Sequence, residues 1–584
     1  FKYAHLLFAI CPLHRRMVED EADEASFDLE VVTWGDPEFG GDSSAVAGDL
    51  ARGVVSLHAN NTAFAALLSG GRVVTWGNAG FGGDSSHCAV QLAAGVKTLR
   101  GNGSAFAAIT ADGAVVTWGS PTCGGDMGEE AWKLQRGVVA VHANSYAFAA
   151  LKEDGSVVTW GDMGRGGDSS VVARQLRKFI KTLHANNVAF AAIKEQGGVV
   201  AWGDPAVIGP SFNAVSEQLS ERVTGLLANN YAFAALNEDG MVVTWGRATC
   251  GGDSKVVADQ LESGVRTLQA SNHAFAALKE QGACISWGDP EFGGDPGSVA
   301  DQLESGVVSI HGNRKAFAVL KEDGTVTAWG HPEYGGDTRS VDQDLRKVTS
   351  LRGNGYAFAA LKSDHSVLAW GNRERGGDTK AVAAQLAEGV VAVHVNQRAF
   401  AAVKVGGAVV SWGHPAYGGN SDAVASQLLG GVVDIFSNPH AFAAVKESGA
   451  VVTWGDSCLG GDSSSVGGRL EQDVIAIQGN RSAFAALRRI RKPESPRRTA
   501  LVGDPLPQNY TAAPAEDATM RTVLYGEDLS FAASGDNEKC VATSDPCTGQ
   551  SALTRARRPP VVNARKRNTS SYQTTVAFGV THRF

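Results

Sequence analysis

Short apolar runs alternate with turn residues along most of this chain. In one stretch, residues 54–58 (VVSLH), 63–67 (AFAAL) and 73–76 (VVTW) are apolar or β-branched runs of strand length. Asn60 and residues 69–71 (SGG) separate these runs, and Asn and Gly favour tight turns. The pattern predicts a three-stranded antiparallel meander.

The meander recurs at an almost constant period. Each third run ends in Trp-Gly, and successive tryptophans of this kind are 41 to 43 residues apart. The tryptophans are Trp34, Trp76, Trp118, Trp160, Trp202, Trp245, Trp287, Trp329, Trp370, Trp412 and Trp454. A period of this length is typical of propellers and solenoids. We therefore predict an all-β, β-propeller-like array of eleven three-stranded units over residues 31–487.

A short helix is predicted between successive meanders. In the first unit, Asp42 or Ser43 can cap a helix start, and Val46 and Leu50 lie four residues apart on one helical face. One isolated carboxylate per unit does not supply the six or more oxygens that Ca²⁺ needs. We therefore interpret the recurring Gly-Gly-Asp as helix capping.

The two ends of the array complement each other. Residues 31–34 form a third strand without the first two, and residues 474–487 form a first and a second strand without a third. We predict that residues 31–34 pair with the strand around Phe484 and close a ring, which would cover both sheet edges. Two rings or an open spiral are the alternatives, with the irregular stretch 209–211 (GPS) as the seam.

The repeat resembles a known family. Its frame, GV-x-x-[LIV]-x-A…A-F-A-A-L-x-x-D-G-x-V-V-T-W-G, resembles the regulator of chromosome condensation repeat, and still more closely the shorter units of β-lactamase inhibitor protein II in the same superfamily. In one unit the matching positions are Gly137-Val138, Val141, Ala143, Ala149, Leu151, Asp154-Gly155, Val157 and Trp160-Gly161. The resemblance implies a β-propeller with one meander per blade. The chain departs from the family in having eleven units where seven are common, and Asn-x-x-Ala-Phe where Gly-x-x-His is frequent.

One strand position repeats polar side chains and is the candidate partner-binding site. We call this set, which precedes Ala-Asn or its equivalent, the polar column. Its candidate binding residues are His58, Arg100, His142, His184, His311, Arg352 and His394, with Gln269 and Gln478 at the same position. Equivalent residues on neighbouring sheets start about 10 Å apart, too far for one zinc ion to hold several of them. A polar strand residue that is hydrogen-bonded between sheets or faces water is the alternative interpretation.

The sequence contains none of the common catalytic or metal-binding motifs. It contains no nucleophile elbow, no HExxH and no phosphate-binding Gly-Lys-Ser/Thr loop, and its eight cysteines form no C-x-x-C pair. We therefore expect no enzymatic activity, no cofactor and no metal. Scattered free cysteines suit a reducing compartment, so a cytoplasmic or nuclear location is expected, and no apolar run approaches the length of a membrane span.

Charge separates the array from the end of the chain. Residues 488–584 hold 15 Lys and Arg against 9 Asp and Glu and therefore carry a net charge of +6. Because the whole chain has a net charge of −9, residues 1–487 carry −15. Phosphate contacts need clustered cations, which makes nucleic acid an improbable partner for the array and a possible one for the tail. We expect an N-terminal segment (1–30), the array (31–487) and a basic, Pro-containing, largely disordered tail (488–584).

These features predict a non-catalytic protein–protein interaction scaffold. Family resemblance leaves two alternatives: a guanine-nucleotide exchange or regulatory factor for a small GTPase, or the substrate-binding part of a larger HECT-type ubiquitin ligase. The exchange activity known in the family relies on a loop inserted out of register, and the 41–43-residue spacing leaves no room for one.

Overall fold

The computed structural model describes residues 27–491 and two short strands, Phe531–Ser534 and Gln573–Val576, which pair antiparallel. The predicted N-terminal segment and tail lie otherwise outside the described residues. Within 27–491 the strands form eleven three-stranded sheets. The architecture is all-β, as the repeat pattern predicts.

Each sheet contains a first, a second and a third strand of the meander. The first strands are Val54–Ala59 (β2), Val96–Gly101 (β5), Val138–Ala143 (β8), Ile180–Ala185 (β11), Val223–Ala228 (β14), Val265–Ala270 (β17), Val307–Gly312 (β20), Val348–Gly353 (β23), Val390–Val395 (β26), Val432–Ser437 (β29) and Val474–Gly479 (β32). The second strands are Ala63–Leu68 (β3), Ala105–Thr110 (β6), Ala147–Lys152 (β9), Ala189–Lys194 (β12), Ala232–Asn237 (β15), Ala274–Lys279 (β18), Ala316–Lys321 (β21), Ala357–Lys362 (β24), Ala399–Lys404 (β27), Ala441–Lys446 (β30) and Ala483–Arg491 (β33). The third strands are Phe27–Gly35 (β1), Val73–Gly77 (β4), Val115–Gly119 (β7), Val157–Gly161 (β10), Val199–Gly203 (β13), Val242–Gly246 (β16), Cys284–Gly288 (β19), Val326–Gly330 (β22), Val367–Gly371 (β25), Val409–Gly413 (β28) and Val451–Gly455 (β31).

We number the sheets from β2-β3-β4 (sheet 1) to β29-β30-β31 (sheet 10), and sheet 11 is β32-β33-β1. The first strand of every sheet contacts the first strand of the next sheet, and β32 contacts β2. The contacts between first strands therefore run through all eleven sheets and return to the start.

The chain ends of the array share one sheet. β1 pairs antiparallel with β33, with Val31 opposite Leu487 and Trp34 opposite Phe484. The predicted pairing of residues 31–34 with the strand around Phe484 is confirmed. Both strands extend beyond the predicted bounds of the array, since Phe27 is opposite Arg491. The Arg488 guanidinium, 3.0 Å from the Glu30 carboxylate, adds an ion pair to this extension.

Helices between the sheets are mostly single 3₁₀ turns, where the sequence predicts a short helix. Three segments are α-helical: Ala47–Leu50 (α1), Pro205–Val215 (α2) and Ala258–Leu261 (α3). The 3₁₀ segments are Pro37–Phe39, Ser44–Val46, Ser69–Gly71, Ala79–Phe81, Ser86–Cys88, Pro121–Cys123, Gly128–Leu134, Met163–Arg165, Ser170–Val172, Ala248–Cys250, Lys255–Val257, Pro290–Phe292, Gly297–Leu303, Pro332–Tyr334, Arg373–Arg375, Lys380–Val382, Pro415–Tyr417, Asp422–Leu428, Ser457–Leu459 and Ser464–Arg469. The Asp42 carboxylate accepts from the Ser44 amide, whereas Ser43, at the N-cap position of the 3₁₀ turn, makes no side-chain capping hydrogen bond.

The irregular stretch 209–211 lies inside α2, which packs against β13 and β16. Gly209 has non-helical φ/ψ, and Pro210 follows it. The first strands on either side, β11 and β14, remain in contact. The irregular unit therefore changes the linker and leaves the succession of sheets intact.

The core lies between neighbouring sheets. The Phe of each second strand stacks on the Trp of the third, as Phe64 does on Trp76 with 5.4 Å between ring centroids. The Trp76 indole N–H donates to the carbonyl of Gly40 in the linker from the preceding sheet. Alanines of the second strand let the sheets approach closely, and Ala63, Phe64 and Ala65 are fully buried.

The glycine after each tryptophan is required by backbone geometry. Gly77 has φ +104, a left-handed conformation, and a Cβ there would lie 2.9 Å from the Cα of Ala63. Trp-Gly thus marks the end of the third strand where it passes the start of the second.

Candidate partner-binding site

The polar column lies on the first strands, the strands that contact one another from sheet to sheet. His58 is directly opposite Ala65 of the second strand, and the other members also face an alanine. The small partner leaves room for a long polar side chain on the strand. His58, His142 and His311 are half-buried, and Arg352 is exposed.

The structure brings the column together as two runs. At this position, sheet 5 has Leu227 and sheet 10 has Phe436. One run therefore comprises sheets 11 and 1 to 4, and the other comprises sheets 6 to 9. The sequence analysis predicts the column as one set. The two apolar residues that interrupt it, Leu227 and Phe436, occupy the same position of the sequence repeat.

Hydroxyl groups orient several of the imidazoles. The residue two positions earlier on the same strand face contacts the ring: Ser56 Oγ lies 3.0 Å from His58 Nε2. Thr182 Oγ1 lies 3.3 Å from His184 Nε2, and Ser309 Oγ lies 3.2 Å from His311 Nε2. These contacts fix ring orientation along the column.

Burial favours the neutral form of three column imidazoles. Together with a smaller effect of a neighbouring arginine, Arg100 or Arg352, it lowers the pKa of His58, His142 and His311 to about 4. At neutral pH these three imidazoles are thus uncharged and can donate or accept hydrogen bonds, beside the positive charges of Arg100 and Arg352.

The ninth sheet differs because a carboxylate faces it. Burial is again the main cause that lowers the pKa of His394, but Asp434 of sheet 10 acts in the opposite direction. A small cavity between sheets 8 and 9 is lined by Arg352, Val391 and His394, among other residues. The column therefore borders a cavity between sheets 8 and 9.

The arrangement suits hydrogen bonding to a partner. Among residues 27–491, no three His, Cys, Asp or Glu side chains come together as a metal-binding group. In the same part of the chain, no helix is long and apolar enough to cross a membrane.

The asparagine after each first strand has a role beyond the turn that the sequence predicts. We call this set the Asn column: Asn60, Asn102, Asn144, Asn186, Asn229, Asn313, Asn354, Asn396, Asn438 and Asn480. Asn60 Oδ1 accepts from the backbone amides of Thr62 and Ala63, which is the expected turn chemistry. Its Nδ2 also donates to the carbonyl of Phe81 in the following linker, at 2.6 Å. Ser271 takes this position in sheet 6 and donates to the Phe292 carbonyl. The side chain thus joins the turn to the linker that leads to the next sheet in ten of the eleven sheets, and Asn186 of sheet 4 is the exception.

Comparisons with known proteins give matches to solved structures only. No family model and no curated protein matches the chain. Prp20p from Saccharomyces cerevisiae, in a structure reported with its binding properties to Gsp1p and histones, is 13% identical, with 81% of this chain and 95% of that chain covered and a TM-score of 0.30. The same yeast protein, called RCC1 in a complex with Kap60, is 15% identical, with 80% and 90% covered and a TM-score of 0.27. Human WBSCR16 is 13% identical, with 79% and 99% covered and a TM-score of 0.26.

At 13% to 15% identity and TM-scores of 0.26 to 0.30, these matches add nothing to the repeat of three-stranded sheets described above.

Proposed function

We propose that residues 31–487 are a non-catalytic scaffold for protein–protein interaction, built as one closed ring of eleven blades. The pairing of β1 with β33 and the contact of β32 with β2 support closure. A ring without free sheet edges is protected against unwanted strand pairing.

The observation that carries the function is the polar column on a rigid frame. Repeat arrays present equivalent side chains at regular intervals, which suits recognition of an extended partner surface. Neutral imidazoles beside Arg100 and Arg352 offer hydrogen-bond donors and acceptors without the cost of burying many charges.

Catalysis forms no part of the proposal. The sequence motifs of nucleophilic, phosphoryl-transfer and zinc-dependent enzymes are missing from the chain. We propose that the protein acts in the cytoplasm or nucleus through protein partners.

Changing His142 and His184 together to Ala should weaken a partner captured by the full chain by about tenfold or more, because two hydrogen-bonding groups leave the interface. The pair is suitable because the two residues lie on adjacent sheets and interact electrostatically. The measurement is affinity capture with mass spectrometry, followed by titration of the captured protein against each variant.

His87→Ala is the matched control, since His87 is exposed on a linker away from the column. Its affinity and melting temperature should match those of the wild type. Unchanged affinity in the double variant would remove the column from the interface, and one or more metal ions per chain by elemental analysis would contradict the reading of these histidines as non-ligands.

A further inference from the structure

A second surface lies where the first strands end. There, the turn that leads to the second strand is hydrogen-bonded to the linker that follows the third strand: the Arg247 amide donates to the Tyr231 carbonyl, and the His331 amide to the Lys315 carbonyl. From Tyr231 in sheet 5 to His440 in sheet 10, these turns and linkers carry aromatic and cationic side chains in contact. We call this stretch the aromatic–cationic arc.

The arc begins with stacked rings and guanidinium groups. Arg247 lies over the ring of Tyr231, at 4.1 Å from its centroid. The Tyr231 ring is 5.9 Å from His273, which stacks on Phe292 at 4.2 Å. Phe292 belongs to the linker that leads to sheet 7, and Lys315 lies over its ring, 4.8 Å from the centroid. The contacts thus cross from one sheet to the next.

Tyr356, which is fully buried, is the centre of the arc. Arg314 donates to its hydroxyl group at 2.7 Å, and Arg375 lies 4.0 Å over its ring. Arg398 continues the series, 4.6 Å over the ring of Tyr417. Three guanidinium groups from three successive units therefore lie against Tyr356 or Tyr417.

The same turns elsewhere in the array lack this composition. The equivalent turn position is Thr62 in sheet 1, Ser104 in sheet 2, Val188 in sheet 4 and Ser482 in sheet 11. Sheet 3 has an isolated pair, Arg165 over Tyr146 at 4.1 Å. Packing of the sheets does not require the arc, because these sheets form the same fold without it.

Several buried polar atoms in the arc lack a hydrogen-bond partner. They include Arg314 Nη2, His414 Nδ1, Asn272 Oδ1 and Asn372 Oδ1. Such atoms cost free energy in a folded protein, and each one calls for an explanation. Unpartnered atoms also occur outside the arc, as at Asn186 and Trp245, but those of the arc lie among its cationic and aromatic side chains, which is typical of a surface that binds a partner.

The charged groups of the arc indicate which kind of partner it binds. Arg247, Lys315 and Arg375 lie on aromatic rings and form no ion pair with a carboxylate within residues 27–491. A guanidinium group stacked on a ring keeps its N–H groups available for a carboxylate. Residues 1–487 carry a net charge of −15, which opposes any polyanion, so the arc, where cations lack carboxylate partners, is the part of the array that suits an acidic segment.

We propose that the aromatic–cationic arc binds an acidic, extended segment of a partner protein. Six sheets spaced about 10 Å apart span about 50 Å, which an extended segment of about 15 residues covers. Tyr and Arg are also residue types enriched in protein interfaces and their energetic centres. The proposal rests on the proposed function, since it assumes that the array recognises proteins.

The test uses the full chain and a fluorescein-labelled (Glu-Glu-Leu)₅ peptide, with binding followed by fluorescence anisotropy. Lys315→Gln and Arg375→Gln should each raise the Kd at least about fivefold, because each removes a cation from the arc. Arg375→Lys keeps the charge and loses the planar stacking. It replaces Arg375→Gln in the comparison if that variant folds poorly. Arg165→Gln is the matched control, since Arg165 has the same repeat position and stacking geometry outside the arc, and its Kd should change less than about twofold.

The basic tail is present in all variants, so a loss confined to the arc variants cannot come from the tail. The proposal is overturned if the wild type does not bind the peptide at about 200 μM, a concentration well above the micromolar range of a specific segment. It is also overturned if all variants bind equally, or if a labelled 15-nucleotide oligo(dT) binds more tightly than the peptide and depends on the same residues. If the peptide experiment overturns the arc but the His142 and His184 substitutions still weaken partner capture, the proposed scaffold function stands.

Discussion

Replacing Trp34 by Ala should lower the free energy of unfolding by about 3–5 kcal/mol, the usual cost of truncating a buried tryptophan. Trp34 is 2% exposed, and its ring stacks on Phe484 from the opposite end of the array. Its indole N–H donates to the Gly460 carbonyl at 3.0 Å. The substitution therefore weakens the strand that joins the two chain ends, and denaturant unfolding followed by tryptophan fluorescence and circular dichroism measures the loss.

A milder pair of variants isolates the hydrogen bond. Trp34→Phe removes the indole N–H, whereas Trp245→Phe removes an indole N–H that has no acceptor in the structure. Trp34→Phe should therefore be the more destabilising of the two by about 1 kcal/mol. Equal losses would show that the bond to Gly460 contributes nothing to closure.

Replacing Asn438 by Ala should cost about 2–4 kcal/mol, because three backbone groups that are buried or partly buried lose their partner. Asn438 is fully buried. Its Oδ1 accepts from the amides of His440 and Ala441, and its Nδ2 donates to the Leu459 carbonyl at 2.7 Å. The measurement is again denaturant unfolding, with the midpoint and slope compared.

Asn186 provides the matched control for Asn438. It occupies the same position in sheet 4, with Oδ1 accepting from Val188 and Ala189, but its Nδ2 has no partner. Asn186→Ala should therefore be less destabilising by about 1–2 kcal/mol. A larger loss at Asn186 than at Asn438 would contradict the role of the Asn column in joining turn and linker.

The repeat frame was sufficient to predict the sheets, because strand periodicity and turn residues are local signals. The pairing of residues 31–34 with the strand around Phe484 was also predictable, since a meander that lacks one strand needs that strand from elsewhere. The short extension to Arg491 was not, because RRIR carries no clear strand pattern, whereas FDLE alternates apolar and charged residues, a strand signal just outside the predicted bounds.

The Asn column shows what sequence patterns omit. The partner of Asn60 Nδ2 is a backbone carbonyl 21 residues away, and every residue has a carbonyl. A signal was nevertheless present in the chain: ten of eleven units use Asn, and the remaining unit uses Ser271, which can also donate. A turn alone would accept Gly or Asp equally well.

The candidate site was predictable in position and less so in extent. Recurrence of the polar strand residue located the column, but Leu227 and Phe436, which divide it, were passed over. The aromatic–cationic arc was also missed, because its members come from two separate repeat positions that only the fold brings into contact. Reading the residue two after each Asn, where Tyr231, Lys315 and Tyr356 stand, would have indicated it.

The most direct test of the closed ring is a disulfide across its closing strands. Asp28 and Ile490 are opposite each other in the β1–β33 pair. Antiparallel partners have Cα atoms about 4.5–5.5 Å apart, within the range that a disulfide spans. Asp28→Cys with Ile490→Cys should form an intramolecular disulfide in most monomers under mild oxidation, identified by peptide mapping. Asp28→Cys with Ser263→Cys, exposed beside sheet 6, is the control and should not. A yield no higher than that of the control, or a cross-link found only in dimers, would contradict the closed ring.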